Sequence, residues 1–442
     1  MNLNNILSIV ENKISSLNCD DYSFLLSKEH EDLIRFSNNS IDVFDSTENI
    51  AIEIYLGKDK KRASGVIYNL DETSIINYLD SLFQYCNDSP INNDYTHLPS
   101  GPFTYEINKH IEIDQINNSE SIIDHVENSI NSALQHGASR VCGSFTSRMS
   151  EIILITSAGV ESKDESITNL LNIRAFTESK SSGHGLSCSS SIDDIDSEKA
   201  GIDAGDYAKS SINPRQCNPG KYDILFTPTV AADIFQFVGH AASADSVDSG
   251  DSFFANKINL KVSSDDLSLS DVGNPKNGIY QRIFDDEGTP TQSTKIIDNG
   301  ILTNYLHNIT TSNKYGVKST GNAGIMAPFC WNIDVSSGNT TFEEQLSSIN
   351  NGLLITNNWY TRFQNPAAGS YSTVPRDACF IIENGKISSP IHGIRISDDI
   401  PRQLLNIDSL SQTRKWINWW EVETPVLSPS IVIKDVPVTR ST

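Results

Sequence analysis

From residue 245 to Val438 the sequence shows almost no apolar periodicity of 3.6 residues. Short apolar runs alternate there with Gly, Asn and Pro, and such runs bury their side chains by pairing as strands. One helix precedes this stretch, expected from Val230 to about Ala244. The segment 218–442 therefore reads as a β-rich domain with one principal helix near its start. Ahead of it, helical and strand-like segments alternate, so the fold class expected for the chain is α+β, with mixed helix/strand units at the N-terminus.

That first half divides into two units. Over residues 1–87, an amphipathic helix carrying Ile6, Ile9, Val10 and Ile14 leads into strand-like runs at Phe24–Leu26, Leu33–Phe36, Ile41–Phe44, Ile50–Tyr55 and Gly65–Tyr68. Gly57–Arg62 reads as a charged hairpin tip, and Asp71 is placed to cap a helix from Glu72 to about Tyr85. Residues 87–112, rich in Asn, Asp, Pro and Gly, read as a linker. Over residues 113–214, a helix is expected at Ser119–Gln135, ended by Gly137. Strands follow at Arg140–Thr146, Glu151–Thr156 and Ile167–Thr177, then an exposed Ser- and Gly-rich hairpin at Ser179–Ser191. A helix over Asp194–Ile212 carries Ala200, Ala204 and Ala208 at a spacing that suits close packing.

Charge narrows the function classes. The chain has 33 Lys and Arg against 56 Asp and Glu, a formal net charge of -23. Its densest basic run, Lys58–Arg62, is interrupted by Asp59. A phosphate backbone calls for clustered cations, so no nucleic-acid partner is expected. Seven cysteines stand singly with no Cys-x-x-Cys pair, which fits reduced thiols in a cytoplasm. The most apolar later segment, Ile224–Ala244, contains Pro228, Asp233 and His240, so no membrane partner is expected. The N-terminus lacks the basic start and long apolar run of a signal peptide.

Several segments of the β-rich domain carry a family resemblance, in order. Lys221–Pro228 looks like an opening strand; Gly250–Lys257 follows the helix; Phe284-Asp285-Asp286-Glu287-Gly288-Thr289-Pro290-Thr291 is the most recognisable. Ile297–Leu302, Ser319–Ala323 and Ile381–Ile387 complete the series. Together they resemble the C-terminal domain of the TldD/PmbA metallopeptidase family, across about residues 218–440, whereas the first two units match only in layout.

The resemblance implies a zinc site in the family's active TldD branch, with His-Glu-x-x-x-His on the helix and a later Cys. The corresponding residues here are Phe235, Gln236 and His240. A phenyl ring cannot ligate zinc, and an amide is no base. The late-Cys region reads Trp416-Ile417-Asn418-Trp419-Trp420-Glu421. Residues five apart on a regular helix also point about 140° apart. The expectation is a pseudoenzyme of the PmbA/TldE branch, inactive alone and without a cofactor. It would partner a TldD-type zinc peptidase subunit that acts on unfolded proteins or peptides, with zinc only in that partner. Lone His240 reads as a hydrogen-bonded structural residue. Gly321, Asn322, Gly369 and Ser370 suit tight turns or close approach to a peptide. Trp416, Trp419 and Trp420, at helical spacing, are core or interface anchors. Two rivals stand beside this reading: a metallohydrolase in which His240 joins His184, His307 or His392, and a stand-alone peptide-binding scaffold.

Overall fold

The computed structural model describes residues 3–107, 119–179 and 181–440. Its first half is built on one six-stranded sheet in the order β3-β2-β1-β4-β5-β6. The strands are β1 (Asp21–Ser37), β2 (Ser40–Lys58), β3 (Lys61–Ile67), β4 (Arg140–Thr156), β5 (Glu161–Phe176) and β6 (Ser182–Ser189). Each pair of neighbours is antiparallel. The short strand-like runs of the sequence fuse into long strands: β1 pairs with β2 from Asp21↔Gly57 to Ser37↔Ser40. Polar residues such as Lys28 and Glu31 stay extended because their backbone groups are bonded by β2 and β4. The β1–β4 pairing also joins the 1–87 and 113–214 units in one sheet. The linker expected over 87–112 lies outside the described residues from 108 onward.

Helices cover one face of this sheet. Phe24 and Leu26 of β1 bury against Ile6, Val10 and Ile14 of α1 (Leu3–Ser16) and Ile75 and Leu79 of α2 (Glu72–Asp88). Asp71 caps α2 by accepting the Ser74 N–H at 3.0 Å. Ile34 and Phe36 pack beneath Ile122, Val126 and Ile130 of α3 (Ser119–Gln135). The hairpin expected to be exposed at Ser179–Ser191 is corrected: β6 is almost wholly buried. The reason is small-on-small packing. A Cβ on Gly185 would lie 2.0 Å from the Ala200 carbonyl oxygen of α4 (Ser197–Ser210), and one on Gly183 2.2 Å from that of Ala204. Ala200, Ala204 and Ala208 are the facing ridge, each fully buried.

The other face docks the C-terminal half: Leu25, Ile152 and Leu154 cluster with Ile283 and Phe284. That half holds a second sheet of fourteen strands among the described residues. Its strand Gly220–Phe226 runs antiparallel to Val422–Arg440 and parallel to Asn351–Ile355. Helix α5 (Pro228–Ala241) follows, its first turn preset by Pro228. The architecture is α+β, with α5 the principal helix of the β-rich half. Among the described residues no helix is long and apolar enough to cross a membrane.

Candidate functional site

Helix α5 is apolar on most sides, and all but a few of its residues are buried. Phe235 is fully buried in the large C-terminal core. His240, five residues on, is exposed at the helix end, the divergence a regular helix imposes. Gly239 lets α5 approach the strand Ile333–Val335: a Cβ there would lie 2.5 Å from Ile333 Cδ1.

Three polar side chains of α5, Asp233, Gln236 and His240, are engaged. Gln236 donates one N–H to Asp233 Oδ1 at 2.9 Å and another to the Glu421 carbonyl, and its Oε1 accepts the Glu423 N–H at 3.1 Å. One donor and the acceptor of the amide thus hold α5 to the turn between the strands Ile407–Trp419 and Val422–Arg440, and the other donor is spent within the helix on Asp233. Asp233, three residues earlier and fully buried, also accepts from Asn358 Nδ2 and Thr361 Oγ1. Burial pushes its carboxyl up to about 7, against the pull of those donors. His240 Nε2 meets Thr424 Oγ1 at 3.0 Å. Neighbours packed round the ring lower its pKa below the usual imidazole value, opposed by Glu423.

The late-Cys region lies beside this helix, but it is strand and turn. The helical spacing of the tryptophans is a coincidence of sequence: Trp416 and Trp419 belong to the strand Ile407–Trp419 and Trp420 to the turn after it, because Trp416 and Trp419 pair with Leu427 and Val422. The three also separate. Trp416 is half-buried, and its carbonyl accepts the Cys188 thiol at 3.2 Å. Trp419 is 5% exposed and packs on His184 with centroids 4.7 Å apart. Trp420 is 44% exposed and lies edge-on to Trp359 at 4.9 Å and Tyr360 at 6.0 Å. Tyr360, itself half-exposed, has a left-handed φ of 58°. Its N–H bonds to the buried Glu421 carboxylate, which also accepts Arg362 Nη1 at 3.1 Å. Such strain in an aromatic residue persists because its surroundings hold it.

A cleft of about 350 Å3 separates the docking face of the first sheet from the C-terminal half, with Glu29, Arg148, Arg282 and Glu423 among its walls. Arg148 pairs with Glu31, and Arg282 pairs with Asp286 at 2.9 Å while stacking over Trp331. Thr424 lines this cleft and bonds His240, so the end of α5 abuts it.

The remaining sequence candidates lie elsewhere. Gly321, at φ 67°, presses on the Pro290 carbonyl, and its own carbonyl accepts Trp331 Nε1 at 2.9 Å. Asn322 is fully buried and donates to Asp271 and the Phe329 carbonyl. Gly369, at φ 71°, packs on Phe253 and Pro401, and Ser370 donates to Asp399. His184 bonds Asn172, His307 meets Thr311 at 3.2 Å, and His392 ends the strand Lys386–His392. Among the described residues no group of three or more His, Cys, Asp or Glu side chains is placed to hold a metal ion. The sequence reading missed Asp233, Glu421 and Tyr360. The signal for Asp233 was a lone acid three residues before Gln236 on an otherwise apolar helix; Tyr360 carried none.

Comparison with known proteins adds the following. The family model for the PmbA/TldA metallopeptidase C-terminal domain matches residues 219–440. A metalloprotease PmbA homolog of Buchnera aphidicola is 33% identical over 227 residues, 51% of this chain and 49% of that protein. Metalloprotease PmbA of Escherichia coli O157:H7 is 28% identical over 231 residues, 52% of this chain and 50% of its own length. The chain thus spans about half the length of the curated relatives it matches. TldE from Thermococcus kodakarensis superposes with a TM-score of 0.85 at 16% identity, covering 99% of each chain, which establishes the shared fold.

Proposed function

Because the chain belongs to the TldD/PmbA metallopeptidase family, we propose that it is the non-catalytic partner subunit of a TldD-type zinc peptidase acting on unfolded proteins or peptides. The observation that carries this reading is the use made of Gln236: where the active branch needs a free carboxylate, an amide spends every hydrogen bond on structure. Phe235, at the first ligand position, is core, and tryptophans stand in the region of the late thiolate. Neutral imidazoles or thiolates are what zinc takes, so these residues do not fit the ion, and no hydrolytic step is assigned to this chain.

Its role is then contact and substrate holding. The exposed Trp420 and Tyr360 supply an aromatic patch for the partner, beside the turn that α5 braces. The cleft at the end of α5 supplies room for an extended chain. All seven cysteines are free thiols, which supports a reducing, cytoplasmic setting. The test is elemental analysis and casein digestion by the purified chain. Neither stoichiometric zinc nor cleavage is expected; one equivalent of bound zinc with chelator-sensitive digestion would overturn the reading.

A further inference from the structure

The outer edge of β2 is open. β1 pairs with β2 almost end to end, whereas β3 pairs with it only from Ile52 to Lys58. Among the described residues no strand bonds the other edge from Ile41 to Ala51, roughly 35 Å of backbone. Folded proteins guard such edges with Lys, Pro, bulges or a cover, since free N–H and C=O groups template another strand. Residues 41–51 contain neither Lys nor Pro. The residues from Asp42 to Asn49 are all exposed, with Val43 at 44% and Phe44 at 46%.

The edge has a charge that selects its occupant. Asp42, Asp45 and Glu48 place three carboxylates along it, and among the described residues the one cation bonded to them is Lys28, 2.9 Å from Glu48. A second copy would bring the same acids against these, on a chain already at -23. A strand bearing Lys or Arg meets them favourably. The register adds a direction. Thr47 and Asn49 stand opposite Glu31 and Glu29 on the same face of the sheet, and Glu29 lines the cleft. A strand laid on β2 would send alternate side chains toward that cleft.

We propose that the open edge of β2 takes an extended, basic stretch of polypeptide as a further strand of the sheet. The proposal rests on the reading of this chain as a holder of unfolded or peptide substrate. Main-chain bonds would give affinity with little demand on sequence, and the acids would give the preference for basic segments.

The experiment titrates the purified chain against a labelled peptide of roughly ten alternating Lys and Val residues, read by fluorescence anisotropy. Saturable binding is expected, absent for the same peptide N-methylated at alternate residues of its pairing edge. The triple variant Asp42→Lys/Asp45→Lys/Glu48→Lys should bind about tenfold more weakly at an unchanged thermal midpoint. No binding, equal binding of the N-methylated peptide, or undiminished binding by a folded triple variant would each overturn the proposal. So would a wild-type dimer whose formation the peptide cannot compete, since the edge would then belong to a second copy. If binding fails while the reconstituted pair still digests casein, the edge is refuted and the partner reading stands. If binding holds in a chain that joins no TldD-type subunit, the edge stands and the partner reading falls.

Discussion

The two adjacent tryptophans should part company on truncation. Trp420 is 44% exposed. With about 250 Å2 of accessible side chain, it leaves ~110 Å2 for a partner to cover, worth ~2.7 kcal/mol at ~25 cal/mol per Å2. That is the size of an interface hot spot and corresponds to roughly a hundredfold in Kd. Within the chain Trp420→Ala gives up edge contacts with Trp359, Tyr360 and Trp419, about 0.5–1.5 kcal/mol for each pair. Trp419 is 5% exposed, in the core and against His184. Trp419→Ala should therefore cost about 3–5 kcal/mol of folding stability, lowering the midpoint by roughly 6–20 °C for a domain of this size. The assay is calorimetric melting of each purified variant, paired with quantitative pull-down of the TldD-type subunit. A Trp420→Ala chain that melts as badly as Trp419→Ala, or that captures the partner as well as wild type, would refute the division of roles.

Three further outcomes follow from the same geometry. His240→Ala should leave cleavage by the reconstituted complex within a few-fold of wild type, because among the described residues its ring nitrogens bond only Thr424 Oγ1; complete loss of activity in a folded complex would give His240 a chemical role. Gln236→Glu keeps the acceptor for the Glu423 N–H but removes both donors beside the buried Asp233, so it should cost about 2–4 kcal/mol in calorimetry and restore no hydrolysis; an unchanged midpoint, or chelator-sensitive cleavage, would contradict this. Asp233, Asp271 and Asp285 are each pushed up to about 7 by burial. The folded chain therefore keeps protons that the unfolded chain sheds above pH ~4, and the stability they contribute is lost as pH rises to about 7. Burial also lowers His184 and His307 to about 4, which pulls the other way until the unfolded imidazoles lose their protons near pH ~6.5. The thermal midpoint should therefore fall most clearly between pH ~6.5 and ~7.5, on the order of a few degrees; a rise across that window would contradict the burial argument.

Most helices were legible because helical periodicity and caps are local signals: Asp71 caps α2, and α3 spans Ser119–Gln135 as expected. Strand lengths were not, since Lys28–Asp32 look like a break until β2 and β4 bond them from both sides. The Ser- and Gly-rich run at β6 looked like a loop because its partner, the Ala ridge of α4, lies beyond it in sequence, and only their contact explains both. At the candidate site, the identities of Phe235, Gln236 and His240 were plain, and so was the neighbourhood of the tryptophans. The hydrogen bonds that engage Gln236 reach residues 185 and 187 positions away and leave no mark on local pattern. The half-exposed aromatic patch arose the same way: Tyr360 and Trp420 meet because Glu421, next to Trp420 in the turn, accepts the Tyr360 N–H.

The most direct test of the central claim is to co-express this chain with a TldD-type subunit bearing intact His-Glu-x-x-x-His, purify through a tag on this chain, and measure zinc and casein cleavage on the eluate. The account expects the partner to co-purify, about one zinc per pair carried by that partner, and chelator-sensitive cleavage that is abolished when the partner's motif Glu is changed to Gln and unaffected by His240→Ala here. Cleavage that survives inactivation of the partner's motif, or a TldD-type subunit that flows through unbound and is fully active alone, would contradict it.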